Sequence, residues 1–124
     1  MKRIAFTFLT AIAIAHLASA GLPAQYQSWL QHDGAERQIR LFMKAEFPSS
    51  DHLKECSSFV EQKIAGTDFL VARAVIESEE YGTDVVGFIC DYKAGLMYSL
   101  SESNYLKFLA GDTSVLPAAP GSTP

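Results

Sequence analysis

At 124 residues the chain has room for one small domain, and its balance of 10 basic to 14 acidic side chains, a formal charge of −4, excludes nucleic acid and anionic lipid as main partners. Both of those ligands demand a basic face that releases counterions, so the composition points to a partner with a basic surface.

The first twenty residues read as an export signal. Lys2 and Arg3 form a short basic start, Ile4 to Leu17 is almost wholly apolar, and Ala18-Ser19-Ala20 has the small-x-small pattern of a cleavage site. The apolar run falls short of the roughly 20 residues that span a bilayer, and no charged stop-transfer pattern follows. The mature protein is expected to begin at Gly21, in the periplasm or the medium, with no stable membrane anchor. Loss of Lys2 and Arg3 lowers the formal charge by two, to −6.

Leu22, Tyr26, Trp29 and Leu30 recur at helical spacing after Pro23 and predict a short amphipathic helix ending at Asp33-Gly34. Asp33 and Glu36 have the spacing of a capping box that opens a second helix, whose apolar face is Ile39, Phe42 and Met43 and whose end is Phe47-Pro48-Ser49-Ser50. The spacing around Arg40 to Phe47 also fits a strand. Ser50 or Asp51 then caps a third helix to about Ile64, with Leu53, Cys56, Val60 and Ile64 along one stripe and Gly66 as its stop.

From Thr67 the period changes. Phe69 to Ile76, Val85 to Cys90 and Leu96 to Leu100 read as three strands of an antiparallel meander, joined by a polar loop and by the tight Asp91-Tyr92-Lys93-Ala94-Gly95 connection. Ser101 or Ser103 caps a last short helix with Tyr105, Leu106 and Leu109 facing in, and Gly111 ends it. Asp112 to Pro124, with Pro117, Pro120 and Pro124 among small residues, is expected to be a disordered tail. The fold class is therefore α+β: residues 21–111 form one domain of two or three helices on a three-stranded antiparallel sheet, with room for a fourth strand.

Cys56 and Cys90 are the two cysteines. Export favours a disulfide between them, clamping the third helix to the sheet, and on the chain-entropy model such a loop is worth roughly 3.5 to 4 kcal/mol. The competing reading is a reactive thiol, because His52 and Cys56 stand at i and i+4 near the expected helix start, where a nucleophilic pair or half a zinc site could form. His32 and His52 lie in polar stretches beside Asp33 and Asp51, and no Gly-x-Ser-x-Gly accompanies them, so they read as surface histidines.

Glu77, Glu79, Glu80 and Asp84 form an acidic cluster with Tyr81 between two strands, which reads as solvated loop charge or as a contact surface for a basic partner. Trp29, Tyr26, Tyr92, Tyr98 and Tyr105 are core aromatics or the lining of a groove. No cofactor, metal site or catalytic constellation is indicated. The functional expectation is a small exported, non-catalytic protein that binds a protein partner in the cell envelope, in the manner of an immunity protein or inhibitor. An accessory component of an envelope or secretion apparatus is the alternative, and a small hydrolase or thiol enzyme ranks third.

Overall fold

The computed structural model describes residues 21–46, 52–79 and 82–117. The export signal, the expected helix end at 47–50 and the cap at Asp51 lie outside the described residues, as do Glu80, Tyr81 and residues 118–124 of the expected tail. No helix among the described residues is long and apolar enough to cross a membrane.

The first element among the described residues is a 3-10 helix, Ala24–Leu30. Tyr26 and Trp29, three residues apart, eclipse on its inner side with ring centroids 4.9 Å apart. The helix α1 follows at His32–Glu46, burying Ala35, Ile39 and Met43. Asp33 lies within its first turn and favours the helix by charge. Glu36 reaches down the helix to Arg40 at 2.8 Å instead of serving in a capping box. Gly34 is buried inside α1 and is no breaker. A Cβ there would stand 2.0 Å from the Ser28 carbonyl oxygen, so glycine is what lets the 3-10 segment close onto the helix.

The expected third helix is replaced by two strands, β1 (His52–Cys56) and β2 (Val60–Ile64), both antiparallel to β3 (Thr67–Ser78). The sheet continues with β4 (Gly82–Asp91) and β5 (Leu96–Ser101), in the order β1-β3-β4-β5 with β2 also on β3. The fold is α+β as read, with five strands instead of three or four. The additional strands come from 52–64, since the Arg40 to Phe47 stretch, as far as it is described, belongs to α1.

A broken edge explains the misreading. The register shifts between Leu53 and Glu55, and pairing lapses over Ser57 to Phe59, where the Ser57 hydroxyl accepts the Arg73 N–H at 3.0 Å and the Phe59 N–H turns to the Trp29 carbonyl at 3.0 Å. These irregularities bring Leu53, Cys56 and Phe59 to one face at intervals of three, a spacing that imitates a helix. Ile64 packs on the opposite face. Gly66, expected as a helix stop, forms with Ala65 a two-residue hairpin turn in which both φ angles are positive, 50° and 85°.

Both faces of the sheet are covered. Leu70, Ala72, Ala74, Ile76, Phe88 and Cys90 meet α1 and the 3-10 segment, while Phe69, Val71, Ile89 and Leu100 meet the second helix, α2 (Glu102–Leu109). Ser101 caps α2 by accepting the Asn104 N–H at 3.3 Å. Tyr105 and Phe108 point inward, whereas Leu106, expected inside, is 58% exposed. Beyond Gly111, Asp112 caps a short 3-10 turn, Thr113–Val115, and Val115 and Leu116 pack on the α2 face, so the expected tail begins with ordered chain.

The predicted disulfide is absent: Cys56 and Cys90 are free thiols. Cys56 lies opposite Ala74 and Cys90 opposite Leu70, on strands separated by β3 and displaced four residues along it. Strand spacing and rise then put their Cα atoms about 16 Å apart, far beyond the roughly 7 Å that a disulfide tolerates. The prediction failed because it placed Cys56 on a helix free to lie over β4.

Candidate functional site

The β3–β4 hairpin gathers the acidic residues singled out from the sequence. Ser78 pairs with Gly82 at its last rung, and Gly82 turns with φ 78°. Since β5 ends with Ser101 opposite Val86, the residues Gly82 to Val85 project past the edge of β5. Glu77, Glu79 and Asp84 are all exposed on this projection. The strand pleat places Glu77 on the α2 face and Asp84, opposite Ile76, on the α1 face, so the tip shows carboxylates on both sides. Lys54 of β1 approaches Glu77 at 3.6 Å and offsets part of the charge, and the Asp84 carboxylate accepts the Val85 N–H at 2.9 Å. Val75 and Val85, half-buried and paired across the hairpin, supply apolar surface just behind the charges. Glu80 and Tyr81 complete the predicted set and lie outside the described residues.

The thiols sit in surroundings unsuited to nucleophilic chemistry. Burial, aided by the neighbouring Asp91 charge, pushes the Cys90 thiol up to about 12, and burial with the Glu36 charge raises that of Cys56. Both are therefore held in the protonated, weakly nucleophilic form. His52 and Cys56 occupy opposite ends of β1, and four residues of strand separate their Cα atoms by about 13 Å, too far for the pairing that a helix would have allowed. His32 is exposed on α1, 3.6 Å from Asp33. Among the described residues no group of three or more His, Cys, Asp and Glu side chains is arranged to hold a metal ion.

Of the five aromatics considered as a groove, three come together. Tyr26 stands 4.9 Å from Trp29 and 5.9 Å from Tyr92, centroid to centroid, and Phe59 joins them at 5.1 Å from Trp29. Tyr98 and Tyr105 lie on the other face of the sheet. The Tyr92 hydroxyl donates to the Glu61 carboxylate at 3.3 Å. Beside this cluster a groove of about 300 Å³ is lined by Gln25, Gln38, Tyr26, Trp29, Leu96 and Met97.

Gln25, Gln38 and Met97 were not legible as site residues, because two polar helix positions and one strand methionine carry no chemical signature until the fold brings them together. The groove and the acidic tip lie at opposite ends of β4, roughly 25 to 30 Å apart by strand rise, and do not form one site. No protein-family model, no curated protein and no solved structure matches this chain.

Proposed function

We propose that this is a small exported, non-catalytic protein that binds a protein partner in the cell envelope, acting as an inhibitor or immunity protein does, with the β3–β4 tip as its contact surface. The observation that carries the reading is the projection of Glu77, Glu79 and Asp84 past β5, backed by Val75 and Val85. A rim of charge around apolar contacts steers a basic partner to the surface and then retains it. The net negative charge of the chain favours the same partner chemistry. The raised thiols weigh against the thiol-enzyme alternative.

The test begins with a photoreactive side chain at position 79 of the exported protein, which cross-links the bound protein for identification. Association of that partner is then followed with the native chain and with Glu79→Lys/Asp84→Lys at several salt concentrations. The charge reversal is expected to slow association about tenfold at low salt and to flatten the salt dependence. Equal rates and equal salt slopes would remove the tip from the interface. Cross-links confined to components of a membrane assembly would favour the accessory-component reading instead.

A further inference from the structure

The two edges of the sheet differ in a way that points to self-association. On the β1/β2 side the edge carries His52, Lys54, Glu55, Glu61 and Lys63, a register shift and a break, all devices that block further strand pairing. On the other side β5, Leu-Met-Tyr-Ser-Leu-Ser, has no charge, proline or glycine, and its register with β4 runs without interruption from Asp91↔Leu96 to Val86↔Ser101. Among the described residues, the only backbone hydrogen bonds of Leu96 to Ser101 within the sheet run to β4, and no loop or turn bonds to that strand.

The helix after β5 leaves this edge clear. α2 runs back over the sheet, with Tyr105 against Gly87, Phe108 5.0 Å from Phe69, and Glu102 held by Arg73 at 2.9 Å. It covers a face and not the edge. The side chains of Leu96 to Ser99 are half-buried and Leu100 is buried, so the strand is fixed in an extended form ready to accept a neighbour.

We infer that a second copy of this chain pairs with β5, antiparallel, across a two-fold axis perpendicular to the sheet. That symmetry keeps both α1 helices on the same side and brings residues of like facing opposite one another. With the axis at Tyr98, Leu96 meets the second copy's Leu100 and Met97 meets its Ser99. With the axis at Ser99, Tyr98 meets Leu100 and Met97 meets Ser101. Neither arrangement opposes like charges, although each copy is acidic overall, because the exposed carboxylates of the tip lie beyond the end of β5.

The antiparallel seam also places the start of one β5 beside the end of the other. At those two ends the carboxylate of Glu102 is already paired with Arg73 at 2.9 Å and that of Asp91 accepts the Ala94 N–H at 3.2 Å, so the seam adds little like-charge repulsion there.

The test is sedimentation and light scattering of the purified full chain over a wide concentration range, with hydrogen exchange of the β5 amides at both extremes. The expected result is a mass rising to twice that of one chain, with β5 protection that falls on dilution. Ser99→Lys is expected to weaken self-association about tenfold or more by bringing like charges together across the seam. Unchanged far-UV circular dichroism in that variant certifies its fold, and the native dilution series stands as the test should the variant fail to fold.

A single-chain mass at every concentration overturns the inference, as does a dimer whose β5 exchange is indifferent to dilution. Protection of β5 by a different bound protein in a monomeric chain overturns it as well. The tip is untouched by Ser99→Lys, so loss of dimer and loss of partner binding are read separately.

Discussion

The α1 face and the α2 face of the sheet are both closed, but by different amounts of chain. Over the first lie a fifteen-residue helix and a 3-10 segment, with Phe42 edge-on to Phe88 at 5.6 Å and the Tyr26, Trp29, Phe59 and Tyr92 rings gathered at one end. Over the second lie eight residues of helix and one capped turn, resting on Tyr105 and Phe108. A helix of eight residues has no stability of its own in water, so α2 persists only through what it buries. One sheet thus supports a deep core on one side and a dependent layer on the other.

Phe88 and Phe108 test this difference most strongly, because both are fully buried, one on each face. Phe88→Ala is expected to cost about 3 to 5 kcal/mol and to shift the urea transitions of Trp29 fluorescence and far-UV circular dichroism together. Phe108→Ala is expected at the lower end, near 3 kcal/mol, because α2 can release without opening the α1 core. The discriminating measurement is amide exchange. In Phe108→Ala the α2 amides should lose protection while those of α1 and β3 keep it, and a uniform loss would mean that the two faces unfold as one.

A glycine contact sharpens the comparison on a smaller scale. At Gly87 an added Cβ would lie 2.1 Å from the Tyr105 ring, and at Gly34 it would lie 2.0 Å from the Ser28 carbonyl oxygen. The first obstacle is a side chain and the second is backbone. Gly87→Ala is expected to cost about 1 to 3 kcal/mol through displacement of Tyr105, and most of that penalty should vanish when the same change is made in a Tyr105→Ala background. Gly34→Ala has no such remedy, since truncating Ser28 leaves its carbonyl in place. Additive losses for Gly87 and Tyr105 would show that α2 does not depend on this contact.

What could be read beforehand follows the same division. The meander β3-β4-β5, its Gly95 turn and the α2 cap at Ser101 were legible because period-two runs, a positive-φ glycine and a serine before an apolar turn are local signals. Residues 52–64 were misread because a bulge and a break shift the pleat of an edge strand, and their inward positions then fall at helical intervals. The disulfide went with that error: placing Cys56 depends on which strand it joins, and only the pairing of β1 with β3 decides that. The acidic tip was visible as a cluster in sequence. The aromatic groove was visible only in part, since nothing local brings Tyr92 and Phe59 to Trp29.

The smallest expected effect is electrostatic and has opposite signs on the two faces. Burial raises the Glu61 carboxyl above its ordinary value of 4.5, outweighing the Tyr92 hydroxyl that donates to it, with Asp68 adding repulsion. Its folded form therefore holds a proton that the unfolded chain releases, so stability falls as pH rises from the unfolded value through the folded one, and it recovers on acidification. Asp112, by the α2 face, is lowered from 3.8 by the Ser114 hydroxyl and N–H, and its contribution is present above the unfolded value and lost as pH falls through the folded one.

Glu61→Gln keeps an acceptor for Tyr92 and removes the partly buried charge. The variant should be at least as stable as the native chain at neutral pH, and the two should converge as pH falls into the range where Glu61 is protonated. Asp112→Asn should show the reverse, converging with the native chain only in stronger acid. Urea midpoints across that range decide the matter, and parallel profiles for Glu61→Gln and the native protein would mean that the Glu61–Tyr92 pair is too well solvated to mark the α1 face as the drier of the two.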